Sequence, residues 1–342
     1  MNLELAFLDP KTISESQIDE VTHVLCTAFK DFNASVGAAK EIVQEGFDNP
    51  ERGPVVARGY CQSYKGYAVV KDDGGGRGKI VGVCFVDVHA EGSPVACLGP
   101  VASIDPGAGK KSFVAACAYA EKLGFSTLNE VLGGASVVAT LLMQNAANSR
   151  SFSLYAKLGF EAKHTCQYVG GFLASSRSPE DSPPPPPGPS GITLAAMVPG
   201  DVEECAQLFL AAHGTGCGWD RRAGITGSLE SGHPFAMLVA RDAEGKVVGY
   251  TTGFFVSGHT VAKSQDIFCA MFKESSKLHQ EAGLPCPKFH CPVEFSGLLS
   301  WALVHGGLKI FRATIIMARG PSEHTPWPDA AGHVVAPSIM GY

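Results

Sequence analysis

Asn145-Ala-Ala-Asn148-Ser-Arg-Ser151-Phe-Ser-Leu154-Tyr155-Ala-Lys-Leu-Gly159-Phe160 follows the apolar run VVATLLMQ, residues 137–144. The run reads as a buried strand, the asparagines as its end, and the segment carrying Leu154 and Tyr155 as a short helix. Gly159 stops that helix, and EAKHTCQYVGG, residues 161–171, reads as the next strand.

Upstream, PVACLGPVASI (94–104) is an apolar run long enough for a central strand, and Asp105 and Pro106 end it. The turn Gly107-Ala108-Gly109-Lys110-Lys111 then opens a helix, SFVAACAYAEKLG. Glycines before a helix let backbone N–H groups converge on an anion, and the helix dipole and two lysines favour negative charge there. The chemistry fits a pyrophosphate; an ordinary turn is the competing reading.

The same order of elements occurs twice. LELAF (3–7) precedes a helix with Ile18, Val21, Leu25 and Phe29 on one face, and ITLAA (192–196) precedes one with Val202, Cys205, Leu208 and Phe209, capped by Asp201. YAVVKDDGGGRGKIVGVCFVDV (67–88) and FAMLVARDAEGKVVGYTTGFFV (235–256) both read as strand, turn, strand. LYAKLGFEAKHTCQYVGG (154–171) and LSWALVHGGLKIFRATIIMARG (299–320) both read as helix, glycine turn, strand.

Between the repeats, SSRSPEDSPPPPPGPS (175–190) cannot bury a core and reads as an extended linker. The expected division is therefore a domain over 1–174, a linker over 175–190 and a domain over 191–342. The fold class is α+β, each domain a mixed, mainly antiparallel central sheet flanked by helices.

Composition narrows the function classes. The 342 residues carry a net charge of −6, which gives no basic footprint for nucleic acid. No run of 18 apolar residues suggests a membrane span, and the acidic start does not resemble a signal peptide. Eleven cysteines without framework spacing fit reduced, buried thiols, so a cytoplasmic location is expected, as a monomer or homodimer. Cys286-Pro-Lys-Phe-His-Cys291 does not have the spacing of a standard zinc finger, and no metal site is expected.

Asn148-x-x-Ser151-x-x-Leu154-Tyr155-x-x-x-Gly159-Phe160 resembles the coenzyme A motif of the GCN5-related N-acetyltransferases, and Gly107-x-Gly109 resembles that family's pyrophosphate loop. The resemblance implies acetyl-CoA as cofactor, a small-molecule amine as acceptor and direct acetyl transfer. It implies that the amides of Gly107, Ala108, Gly109, Lys110 and Lys111 bind pyrophosphate and that Val101, Ala102 and Ser103 hold the pantetheine arm. Asn148 and Ser151 would contact the cofactor, and Tyr155 would be the general acid.

Asp87, His89 and Glu91 alternate onto one face at the end of a strand and are candidates for the general base; solvated edge residues are the other reading. His164 reads as a surface residue. His213, Cys217, Trp219, Asp220, Arg221 and Arg222 fall in a loop region of the second half, which lacks both motifs and resembles the degenerate partner of a tandem protein. The first-half loop is shorter than the family's, so a non-catalytic acyl-CoA- or metabolite-binding regulator is the alternative function.

Overall fold

The computed structural model describes residues 3–37, 47, 49–72, 78–88, 95–131, 139–173, 191–213, 221–230, 236–255, 258–320 and 333–337. The linker 175–190 lies outside the described residues, as do His89, Glu91, Cys217, Trp219, Asp220 and the tail residues Trp327 and Tyr342.

Strand β1 (Leu3–Leu8) leads into α1 (Glu15–Ser35). Ser14 starts that helix because its hydroxyl accepts the Gln17 N–H at 3.3 Å while Gln17 Oε1 accepts the Ser14 N–H at 3.0 Å. Two orphan amides are thereby satisfied reciprocally. Ile18, Val21 and Leu25 are buried with Ala68, Val83, Phe85 and Ala102, and Phe29 packs at the edge of that cluster. Helix α2 (Arg52–Ser63) lies beside α1 and adds Ala57 and Cys61.

β2 (Lys65–Lys71), β3 (Lys79–Val88) and β4 (Val95–Ser103) continue from β1 as an antiparallel meander. Helix α3 (Ala108–Val131) packs on the face opposite α1 and leads to β5 (Ala139–Asn145), which is parallel to β4. Helix α4 (Ser149–Lys157) and β6 (Glu161–Gly170) close the first half.

The second half repeats the order. It runs through β7 (Thr193–Ala196), a 3₁₀ turn at Pro199–Asp201, α5 (Val202–His213), α6 (Arg222–Glu230), β8 (Leu238–Arg241), β9 (Val247–Thr251) and β10 (Thr260–Ala262). Helix α7 (Gln265–Glu281), β11 (Lys288–Pro292), α8 (Ser296–Ser300), β12 (Lys309–Arg319) and β13 (Val334–Ala336) follow. The β8–β9 turn is set by Asp242, whose Oδ1 accepts the N–H groups of Glu244 and Lys246, and by Gly245 at φ +81°. Among the described residues no helix is long and apolar enough to cross a membrane.

Asp201 does not cap α5 in the forward sense expected. It ends the 3₁₀ turn, where its carboxylate accepts the Val198 N–H at 2.8 Å and pairs with Arg241 Nη2 on β8 at 2.5 Å. A charged partner on β8 outcompetes the amides of the next turn.

The fold is α+β with mainly antiparallel sheets, as the repeat implies, but the halves share strands. One sheet has the order β1-β2-β3-β4-β5-β12-β6-β11 and the other the order β13-β10-β9-β8-β7. β12 lies antiparallel between β5 and β6, and β6 lies between β12 and β11. Each half thus sends its strand after the glycine turn into the other half's edge. Cys97, Leu141, Cys166, Ile316 and Ala318 of the shared sheet bury against Leu208, Phe209 and Ile225 of α5 and α6. On the opposite face, Met317 of β12 packs with Phe113 and Phe160 of the first half, and Val169 of β6 packs with Phe268 and Phe272 of α7.

Because β6 bonds only to second-half strands among the described residues, neither half closes its own sheet. We expect fragments 1–174 and 191–342, produced separately, to lack cooperative thermal unfolding by circular dichroism, and to co-elute as a folded pair when co-expressed. A first fragment that unfolds cooperatively on its own contradicts the strand exchange as the basis of the fold.

Candidate functional site

The first-half strands leave an opening. β4 pairs with β5 only through Val95–Cys97 against Ala139–Leu141. Beyond Cys97 the β3–β4 register steps from Val86↔Leu98 to Cys84↔Val101, so Gly99 and Pro100 together oppose Phe85. This is a bulge, with Gly99 at φ +140°, a conformation that favours glycine. A bulge re-aims the strand that carries it, and from Leu98 to Ser103 the β5-facing edge of β4 has no partner strand among the described residues. Backbone N–H and C=O groups on that edge face the gap.

The head of the gap is the start of α3. Gly107 is at φ +86°, and its carbonyl accepts the first helical bond, from Lys111 N–H at 3.1 Å. Ala108 N–H turns back to the Asp105 carbonyl at 3.3 Å. The amides of Gly109 and Lys110 therefore precede the intrahelical ladder, at the positive end of a 24-residue helix. This first turn sits tightly on the sheet: a Cβ on Gly82 of β3 would lie 2.8 Å from Ala108 Cβ, and one on Gly109 would lie 3.0 Å from Ser103 Oγ.

The two lysines part company. Lys110 is exposed at the helix start, whereas the Lys111 ammonium donates to the Leu3 carbonyl and ties α3 to β1. Asp105 at the end of β4 is ion-paired to Lys71.

Helix α4 flanks the same side. Asn148 is its N-cap, with Oδ1 accepting the Ser151 N–H at 3.1 Å, and the Ser151 hydroxyl pairs with the Tyr155 phenol. Tyr155 is 7% exposed, with its ring centroid 4.7 Å from Phe113 of α3. Burial is the main cause that raises the Tyr155 pKa; the neighbouring Cys84 adds to it and the Ser151 bond opposes it. Tyr155 and Cys84 belong to one apolar cluster, and Val101, the register partner of Cys84, packs against it. Gly159, at φ +85°, turns the chain out of the helix, and Phe160 carries the Arg319 guanidinium of β12 over its ring at 5.2 Å.

Solved structures share the fold. A protein described as an acetyltransferase from Pyrococcus horikoshii superposes with TM-score 0.61 at 13% identity, over 99% of this chain and 96% of that one. A GCN5-related N-acetyltransferase from Sphaerobacter thermophilus gives 0.58 at 13% identity, over 93% and 95%. A tandem GNAT protein from the clavulanic acid biosynthesis pathway gives 0.57 at 13% identity, over 94% and 100%. No family model and no curated protein matches the chain.

The chain has the tandem GCN5-related N-acetyltransferase fold. Val101, Ala102 and Ser103 lie on the part of β4 that β5 does not pair, Gly107, Ala108, Gly109 and Lys110 lie at the start of α3, and Asn148, Ser151 and Tyr155 lie at the N-cap and on α4, Tyr155 sharing an apolar cluster with Phe113 of α3 and Leu98 of β4. Lys111 turns away toward β1. Asp87 lies on β3 opposite Cys97; its side chain, like His89 and Glu91, lies outside the described residues.

Sequence reasoning missed the bulge, although Gly99-Pro100 inside an apolar run is the signal that marks one. It also missed a polar network in the second half. Arg221 is 6% exposed, and its Nη2 donates to His259 Nδ1 at 3.0 Å. A guanidinium only donates, so Nδ1 accepts and Nε2 carries the proton given to Tyr250 Oη at 2.7 Å. The sequence pair divides, since Arg222 is exposed and binds Glu203 at 2.6 Å. His213 is stacked on Phe209 at 3.9 Å, and His164 reaches Glu294 at 2.8 Å across the shared sheet. Cys291 and His290 are successive residues of β11 and point to opposite faces, so they do not converge on a metal. No metal-ligating cluster occurs among the described residues.

The cap assigns Asn148 a measurable structural role. Asn148→Ala is expected to cost about 1 kcal/mol of stability, read as a lower urea midpoint with an unchanged slope, and Asn148→Asp is expected to retain most of it. Equal midpoints for Asn148→Ala and the unaltered chain remove the cap from the account.

Proposed function

We propose that the chain is an acetyl-CoA-dependent N-acetyltransferase that acts in its first half and passes the acetyl group directly to the amine of a small molecule or amino acid. The observation that carries this reading is the open β4 edge, headed by orphan amides of α3, with Tyr155 in the apolar cluster against which Val101 of β4 packs. An anion fits that head: the amides of Gly109 and Lys110 are unclaimed by the helix, the dipole is positive there and Lys110 is close by.

Those amides and Lys110 would hold the pyrophosphate, and the β4 edge from Val101 to Ser103 would hold the pantetheine amides. Acetyl-CoA, when bound, supplies the activated thioester. Tyr155 Oη keeps its proton well into the alkaline range because burial disfavours phenolate, so the group is present in the protonated form that a donor to a leaving thiolate needs. Its orientation is held by Phe113 and Ser151. Asp87, His89 and Glu91 are the proposed sources of the base that takes the amine proton.

A specific observation favours the second reading, a non-catalytic acyl-CoA-binding regulator: Tyr155 is nearly enclosed, and Asn148 is engaged in capping. Activity separates the two.

Acetyl-CoA is expected to bind by calorimetry, and Gly109→Glu to abolish it. A carboxylate about 4 Å from a phosphate costs about 4 kcal/mol at an effective dielectric near 20, or roughly a thousandfold in affinity. Unchanged affinity in Gly109→Glu rejects the pyrophosphate seat.

Tyr155→Phe is expected to lower kcat about a hundredfold or more with little change in cofactor affinity. Since the phenol's pKa is raised, the unaltered enzyme should show no loss of kcat from Tyr155 ionisation at pH 10. Equal turnover of the two proteins removes Tyr155 as the acid, and absence of turnover in the unaltered chain favours the regulator reading.

A further inference from the structure

The halves differ where the repeat leads one to expect the same feature. β10 stands where β4 does, after the hairpin and before the long helix, and β11 stands where β5 does. Yet β10 and β11 form no ladder, and the β10 edge is taken by β13 in the register Thr260↔Ala336, Val261↔Val335, Ala262↔Val334.

β13 is built into the core rather than laid on it. Val335, 1% exposed, packs with Val261, Tyr250 and Phe209 on one face. Val334 and Ala336 pack with Phe268, Phe272 and Trp301 on the other. Burial on both faces is the property of a central strand. β13 also contacts β11, so the segment spans the two strands that the gap would otherwise separate.

The second half also lacks the anion seat. β10 joins α7 through Lys263 and Ser264 alone, and the Ser264 hydroxyl accepts the Ile267 N–H at 3.3 Å. A side chain of the protein fills the position that Gly107 leaves bare in the first half.

We infer that β13 is the resident occupant of the second gap, and that the chain consequently takes one cofactor, in its first half. The stoichiometry rests on the cofactor reading of the β4–β5 gap; the occupancy does not. A strand tethered through residues 320–333 acts at an effective concentration in the millimolar range, so a dissolved ligand present at micromolar levels does not displace it without far greater intrinsic affinity.

The test is a reversible lock in the full chain. Directly opposed residues have Cβ atoms about 4.5–5.5 Å apart, near the disulfide range, so Val261→Cys with Val335→Cys should cross-link under mild oxidation. Peptide mapping by mass spectrometry identifies the bond, and the reduced form of the same sample is the control for folding.

We expect complete cross-linking, one equivalent of acetyl-CoA by calorimetry in both forms, and dissociation constants within about twofold of each other. Failure to cross-link in a chain that unfolds cooperatively overturns the occupancy. Two equivalents in the reduced form, or loss of one on oxidation, overturns the one-cofactor inference. Complete cross-linking with zero equivalents in both forms overturns the cofactor reading of the first half and supports the occupancy.

Discussion

The insertion of β12 between β5 and β6 is the constraint on which the rest of the molecule depends. β5 has β4 on one side for only three residues, so its far edge must be covered for the strand to be held at all. The cover comes from residues 309–319, far along the chain. In exchange, β6 covers the edge of β11. A backbone ladder satisfied in this way is indifferent to side-chain identity.

The exchange also positions the site. β12 brings Arg319 over Phe160 and onto the Leu158 carbonyl, fixing the end of α4. Met317 packs into the cluster that contains Tyr155, Phe113 and Phe160. The orientation of the candidate acid is therefore set by a strand of the other half as well as by its own helix. The bulge has a similar reach: by adding a residue to β4 opposite Phe85, it parts β4 from β5 and opens the edge that the proposal uses.

Much of this was legible in the residues. The repeat, both hairpins, the amphipathic face of α1 and the Gly159-Phe160 stop all rest on local patterns, and local patterns are what a sequence displays. The exchange was not legible, because β6 and β12 present the same alternation. In both, the first five residues are exposed or half-buried and the sixth and the eighth to tenth are buried, so no side chain states which edge either strand should join. Lys111 beside a glycine turn read as an anion ligand, since the Leu3 carbonyl that claims it is more than a hundred residues away. Asp201 misled for a similar reason, its partner Arg241 lying on β8, 40 residues along the chain.

The asymmetry between the halves follows from two small differences at equivalent positions. Before α3 stands Gly107, which has no side chain and adopts positive φ, so the next amides remain uncapped. Before α7 stands Ser264, in extended backbone, whose hydroxyl takes the amide that an anion would need. Once that seat is closed, the gap beside β10 lacks the uncapped amides that would hold a charged ligand, while its walls of Phe209, Tyr250, Phe268 and Phe272 favour apolar residues. Val334, Val335 and Ala336 meet that requirement and satisfy the strand edge at the same time. In the first half the uncapped amides make the same gap hospitable to an anion.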